Sequence, residues 1–264
     1  MSRRWPARIF GLAAGLIFLF LYLPIAVLVV FSFQSSRVLA WPLGDWSLHW
    51  YRQLAANHEI QQAIINSLIV ATSCVCVTVC VGVPLALGLR VMRGAFGRFL
   101  ERTFLLPLIV PQMITGLALL VAFNRLGVQL SLATIVAGQS LVWMPIVVTQ
   151  VHARLTRMDQ NLEKASHDLG ANRLQTFFLV TLPLIRTSVI GSALLVFTLS
   201  FDELPVTIFL TGAQNTLSMH IWSMLRTGIT PEINAIATIT VGLSICLVLI
   251  GTRLLMRDRT EELR

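Results

Sequence analysis

An all-α integral membrane protein with six transmembrane helices is the fold class this sequence predicts, and three observations carry it. Of its 264 residues 56% are hydrophobic and only 12% charged, with a mean hydropathy of +0.78, well outside the range of soluble domains. Four charge-free stretches, 9–33, 63–89, 103–123 and 131–151, are long enough to cross about 30 Å of hydrocarbon, which takes roughly 20 residues as helix. Two more follow near 187–210 and 233–252. All six are continuously apolar rather than alternating at period two, which excludes barrel strands, and a backbone in lipid must satisfy its own hydrogen bonds.

The first span has the basic start and apolar run of a secretory signal. It is too long for one, and no small-residue cleavage site precedes the polar region after Phe33, so it is expected to stay as an anchor. The connection after it carries Trp41, Trp46, Trp50 and Tyr51. Such aromatics anchor to the membrane interface, or contact a partner or solute. In the second span, Cys74 and Cys76 are two positions apart and so point to nearly opposite sides of a helix. With Cys80, and with Cys246 in the sixth span, they read as small apolar helix residues rather than metal ligands. No two histidines have ligand spacing on one helix, so no metal site is expected. Pro107 and Pro111, with Gly116 beyond them, predict either a broken third span around a pathway or a simple kink. Thr230, Pro231 and Glu232 resemble a helix start, with proline in the first turn and the acid near the positive end.

Basic residues orient the spans, because positive loops stay on the cytoplasmic side. Arg3, Arg4 and Arg8 lie at the N-terminus, and Arg90, Arg93, Arg98 and Arg102 between spans 2 and 3. Arg154, Arg157, Lys164, Arg173 and Arg186 follow span 4, and Arg253, Arg257, Arg259 and Arg264 end the chain. These sixteen stand against four, Arg37, Arg52, Arg125 and Arg226, on the other side. Both termini and the long 152–186 connection are therefore expected in the cytoplasm. Topology accounts for the net charge of +8, so no nucleic-acid partner is implied.

That connection is the most polar long segment of the chain. Asp159 or Asn161 can cap a helix start; Leu162, Ala165, Ser166 and Leu169 recur on one face, and Gly170 stands where a helix would end in the left-handed conformation. "NRLQTFFLV" follows as a second amphipathic piece, with Pro183 at the entrance to span 5. A helix-turn-helix lying on the membrane surface would present a rigid face to something soluble.

The spacing of Gly170, Val180, Leu182 and Pro183 resembles the EAA signature (E-A-A-x3-G-x9-I-x-L-P) of inner-membrane permeases in binding-protein-dependent ABC importers. Counting back from Gly170 places Lys164, Ala165 and Ser166 at the E-A-A positions, so this chain departs at two of them, with Glu163 one place earlier. The resemblance extends over nearly the whole chain, particularly to spermidine/putrescine permeases, through "FSFQSSR", "WSLHWYRQL", "NSLIVA", "LLPLIVPQMITGLALL", "SFDELPVTIFLTG" and "TLSMHIWSMLRTGITPEINAIATI".

The resemblance implies the type I ABC importer permease fold, as a single permease domain over 1–264 in a bacterial inner membrane. It also implies a homologous second permease subunit, two ATP-binding subunits on the cytoplasmic side and a periplasmic solute-binding protein. The partner permease is either a different subunit or a second copy. In this picture 152–186 is the coupling loop to the ATPase, with Glu163, Lys164, Ala165, Ser166, Asp168, Gly170, Leu182 and Pro183 as its candidate residues.

The chain is not expected to hydrolyse ATP itself. A P-loop needs a lysine followed by Ser or Thr to hold phosphate and magnesium, and Lys164, followed by Ala165, is the only lysine here. The chain is expected not to be an enzyme and to hold no cofactor, ATP and Mg belonging to the partner ATPase.

Asp202 and Glu203 are the candidate substrate-pathway residues. At 1.5 Å per residue, a helix places Asp202 roughly 22 Å from Thr187, in the outer part of the membrane. A carboxylate at bilayer centre costs about 2.5 to 3.5 kcal/mol on insertion scales, and such groups generally face a cavity or a partner. Either one or both acids attract a cationic solute, or they pair with a basic residue or cap helix ends without touching it. Adjacent residues point about 100° apart on a helix, so one of them is expected to face the pathway.

A polyamine, putrescine or spermidine, suits this pair and the resemblance. Opines, aminophosphonates and thiamine are the alternatives among similar permeases. A secondary transporter or channel would not need so long a cytoplasmic helix pair and would show internal repeats. An intramembrane enzyme would need convergent catalytic groups, which the spans lack.

Overall fold

The computed structural model describes residues 4–36, 45–92, 94–228 and 231–261. Arg3, Arg37, Trp41, Arg93, Thr230 and Arg264, named above, lie outside the described residues. The chain groups into two compact units, Met1–Gln61 with Ile221–Ile245, and Gln62–His220 with Cys246–Arg264.

In the first unit, α1 (Arg4–Ser32) is followed by an antiparallel bridge between Gln34 and Trp46 and by α2 (His49–Ala56). None of the apolar part of α1 is buried within the chain. The aromatic connection folds on itself: the Trp50 indole N–H donates to Gln34 O at 2.7 Å, and the Tyr51 and Ser32 hydroxyls share a hydrogen bond at 2.7 Å. Trp50 is accordingly buried, while Trp46 stays exposed. These contacts give the indole N–H an internal acceptor, which a purely interfacial anchor would take from water or headgroups. Asn57 then starts α3 (His58–Val91), its Oδ1 accepting from Glu59 N at 3.0 Å.

The second unit is organised around α6. Before it, α4 (Gly94–Ile109) and α5 (Gln112–Arg125) are bent by 99° at a short break. Pro111 causes the break: it lacks an N–H for the α4 ladder, and proline pushes the residue before it away from helical geometry. At Pro111 the helix is therefore broken rather than simply kinked.

From Leu132 to Arg157, α6 buries residues along most of its length, among them Ile135, Gln139, Val142, Val147, Val151 and Leu155. Lipid offers no hydrophobic drive between helices, so close backbone approach through small residues has to supply packing. Gly82 of α3 provides it, since a Cβ there would lie 3.1 Å from Val147 Cγ1.

After α7 (Asn161–Asp168), α8 (Arg173–Thr176) and a π-helical turn at Phe177–Thr181, α9 runs from Leu182 to Phe201. It does not continue to Leu210 as expected. Pro205 removes a donor and the chain turns at 202–206 before a short α10 (Thr207–Leu210). This turn packs into two glycine notches. A Cβ on Gly116 of α5 would stand 2.9 Å from Phe209 Cδ2 and 3.0 Å from Val206 Cα, and one on Gly138 of α6 would meet the Leu210 and Val206 side chains. Two further helices, α11 (Leu217–Thr227) and α12 (Pro231–Glu261), complete the described chain.

Four described helices or helix runs are long and apolar enough to span a membrane, within α1, α3, α6 and the 173–201 run. The bent α4–α5 pair makes a fifth if counted as one span, and the sixth expected segment is the apolar Pro231–Cys246 part of α12.

Candidate functional site

Two places carry the candidate residues, the 152–186 segment and the turn after α9. In the first, α6 ends at Arg157 and Met158 turns extended. The Asp159 carboxylate then accepts from Asn161 N at 2.9 Å, satisfying one of the orphan donors of α7. At the other end, Leu169 N donates to Ala165 O at 3.1 Å and Gly170 N to His167 O at 2.9 Å. Gly170 has φ +89°, the left-handed conformation that its lack of a Cβ allows. Of the two candidates for the start, Asp159 and Asn161, it is Asp159 whose carboxylate accepts, and Gly170 ends the helix as its position predicts.

Beyond Gly170, Asn172 and Gln175 form a reciprocal capping box, Asn172 Oδ1 accepting from Gln175 N at 2.9 Å and Gln175 Oε1 from Asn172 N at 2.8 Å. An N-x-x-Q start is a helix signal legible in the sequence. The Ser166 and Thr176 hydroxyls, 3.1 Å apart, tie α7 to α8. Arg154 Nε donates to Leu184 O at 3.0 Å, joining the end of α6 to the start of α9.

The candidate residues divide by direction. Lys164, Ala165, Asp168, Gly170 and Pro183 are exposed, Ser166 and Leu182 half-buried. Glu163 turns inward: its Oε1 accepts from Arg90 Nη1 at 3.0 Å and from Thr181 Oγ1 at 2.7 Å. Arg90 is legible in sequence only as a marker of topology and Thr181 not at all, because they lie 73 and 18 residues from Glu163. Three leucines of the segment are left uncovered, Leu169 at 90% exposure, Leu179 at 74% and Leu174 at 70%.

At the second place the two acids have different surroundings. Asp202 closes α9 as its C-cap and is exposed. Glu203 is buried at 4% exposure, and its carboxylate is filled from within the chain. Oε1 accepts from Val206 N at 2.6 Å; Oε2 accepts from Thr207 N at 3.0 Å, Thr207 Oγ1 at 2.6 Å and Gln139 Nε2 at 3.3 Å. Ser200 Oγ donates in turn to Gln139 Oε1. The capping alternative thus describes Glu203, which holds the start of α10 much as an N-cap acid does. Gln139 was the missed partner. A glutamine inside an otherwise apolar span is a signal for one, since its amide needs hydrogen bonds in lipid.

Residues 78–257 match the family described as binding-protein-dependent transport system inner membrane component. The chain belongs to that family. It is 34% identical over 275 residues to the putrescine transport system permease protein PotI of Escherichia coli (strain K12), covering 99% of this chain and 95% of that one. To the spermidine/putrescine transport system permease protein PotC of the same strain it is 33% identical over 247 residues, 93% and 92% of the two chains. Among solved structures it superposes on a chain of a bacterial ABC transporter involved in import of the acidic polysaccharide alginate, with TM-score 0.78 and 16% identity over 97% of this chain and 96% of that one. It also superposes on a chain of the inward-facing MetNI methionine ABC transporter, with TM-score 0.62 and 14% identity over 76% and 99%. The protein therefore has the fold of an ABC importer permease and crosses the membrane several times.

Proposed function

We propose that this chain forms half of the translocation pathway of an ABC importer for a polyamine, putrescine or spermidine. The observation that carries the transport reading is the capped helix α7, fixed by Asp159 and Gly170 and presenting Leu169 almost fully exposed. Its partners are a second permease subunit, two ATP-binding subunits that bring ATP and Mg, and a periplasmic solute-binding protein. Helix α7 docks on an ATP-binding subunit, and closure of those subunits around ATP moves it. The chain itself is not an enzyme and holds no cofactor. Both termini and α7 lie on the cytoplasmic side of the inner membrane, in line with the arginine distribution.

Polyamine as solute is supported by the 34% identity to PotI and by Asp202, an exposed acid at the end of a membrane helix. An anionic group in such a place attracts a cation and is expensive without one. Uptake of labelled putrescine and spermidine, in cells with and without this chain and with the partner subunits kept, tests the reading. Energy-dependent uptake that disappears with the chain is expected. Unchanged uptake of both overturns the polyamine assignment and leaves the family membership standing.

A further inference from the structure

The coupling helix has two covalent neighbours and one that is not. Short stretches of chain connect α7 to α6 and, through α8 and the π turn, to α9. Helix α3 is far away in sequence, yet its Arg90 reaches the first turn of α7 at Glu163. The side chains of Arg90 and Glu163 are 11% and 24% exposed, which takes the pair out of the class of solvated surface bridges that contribute almost nothing. The same Glu163 oxygen also takes the Thr181 hydroxyl, so one atom joins α7, the C-terminal end of α3 and the turn that opens α9. Arg90 follows the buried residues Val83, Ala86 and Leu89 on α3. A pull on its guanidinium therefore acts on a helix packed into the core rather than on a loose end.

We infer that Arg90 is a positioning residue for coupling: through Glu163 it makes α3 move with α7 when the ATP-binding subunits close. This rests on the docking role of α7 proposed above. A cleft of about 670 Å³ lies beside the pair, lined among others by Gln160, His167 and Arg173. A docked subunit that narrows this cleft removes water from the pair and strengthens its attraction.

Amide hydrogen exchange on the purified complex, with and without a non-hydrolysable ATP analogue, reads this directly and needs no solute. In the wild type, nucleotide is expected to change exchange both in α7 and in residues 85–91. In Arg90→Ala the change persists in α7 and disappears from 85–91. Arg90→Lys, which keeps the charge, and the reversed pair Arg90→Glu with Glu163→Arg are expected to restore it, which excludes misfolding as the cause. A response of 85–91 in Arg90→Ala equal to the wild type, silence there in the wild type, or failure of both restoring variants overturns the inference. A wild-type complex whose α7 ignores nucleotide overturns the docking role as well. Absence of polyamine uptake leaves this readout untouched and bears on the solute alone.

Discussion

Gln139, in the middle of α6, donates from Nε2 to Glu203 Oε2 at 3.3 Å, and Glu203 in turn holds the backbone N–H groups of Val206 and Thr207. One carboxylate thereby fixes the break in the chain between α9 and α10. Removing it takes the acceptor from those two amides and from the Thr207 hydroxyl in an apolar interior, at about 1–3 kcal/mol for each unsatisfied group, while Gln139 Nε2 keeps its bond to Thr207 Oγ1 at 2.9 Å. Glu203→Ala is expected to lower the amount and the melting temperature of the assembled complex. Glu203→Gln, which keeps one acceptor oxygen, should fall between the two in the same thermal assay.

Asp202 behaves in the opposite way. Because it is exposed at the helix end, Asp202→Asn changes charge without emptying a hydrogen-bond network. The expected result is normal complex yield with weakened uptake of labelled putrescine. Normal uptake in this variant would remove Asp202 from the pathway.

Leu169 offers a clean separation of folding from docking. At 90% exposure it makes little contact within the chain, so Leu169→Asp should change the stability of the isolated subunit by no more than about 0.5 kcal/mol. Co-purification of the ATP-binding subunits is expected to fall sharply. Retention at the wild-type level would show that α7 docks through other residues.

Gly170→Ala probes the conformation rather than the surface. Nothing stands within 4 Å of the position of its Cβ, so the cost is backbone strain alone, about 1–2 kcal/mol for an L-residue held at this positive φ. The end of α7 should fray, and faster amide exchange at 165–171 would show it.

Gly116 tests the notch on α5. A Cβ there would crowd Val206 Cα at 3.0 Å, and backbone yields less readily than a side chain. Gly116→Ala is expected to cost about 1–3 kcal/mol through overpacking, visible as a lowered melting temperature.

Much of the architecture was legible because lipid imposes simple rules on it. Charge-free runs marked the spans, arginine clusters gave their expected orientation, and Gly170, with Asp159 or Asn161 as the candidate cap, bracketed α7. The misreadings have physical causes. Span 5 looked continuous because "FDELPVTIFL" is nearly as apolar as the helix before it. Pro205 is legible as a disturbance of the helix just after the acid pair, but hydropathy does not register that Glu203 recruits the backbone into a turn. The surroundings of the coupling segment were hidden for another reason, since Glu163 takes its partners from a distant helix and a π turn, and single-sequence spacing carries no record of pairs 73 residues apart. The small helices α2, α10 and α11 were missed because none is long enough to show as an apolar run.

The π turn at Phe177–Thr181 gives the chain a place where its length can change without changing direction. A π turn is how a helix accommodates one additional residue while the helical segments on either side keep their faces. Loss of a single residue there would return the turn to ordinary pitch, leaving Thr181 toward Glu163 and the face of α9 as they are. The same loss a few residues later, inside α9, would swing everything beyond it by about 100°, carrying Asp202 to another side of the helix. Because the Gly170-to-Pro183 spacing of the signature runs through this turn, related chains that keep the spacing should keep the additional residue with it, and insertions and deletions should avoid the twenty residues that follow.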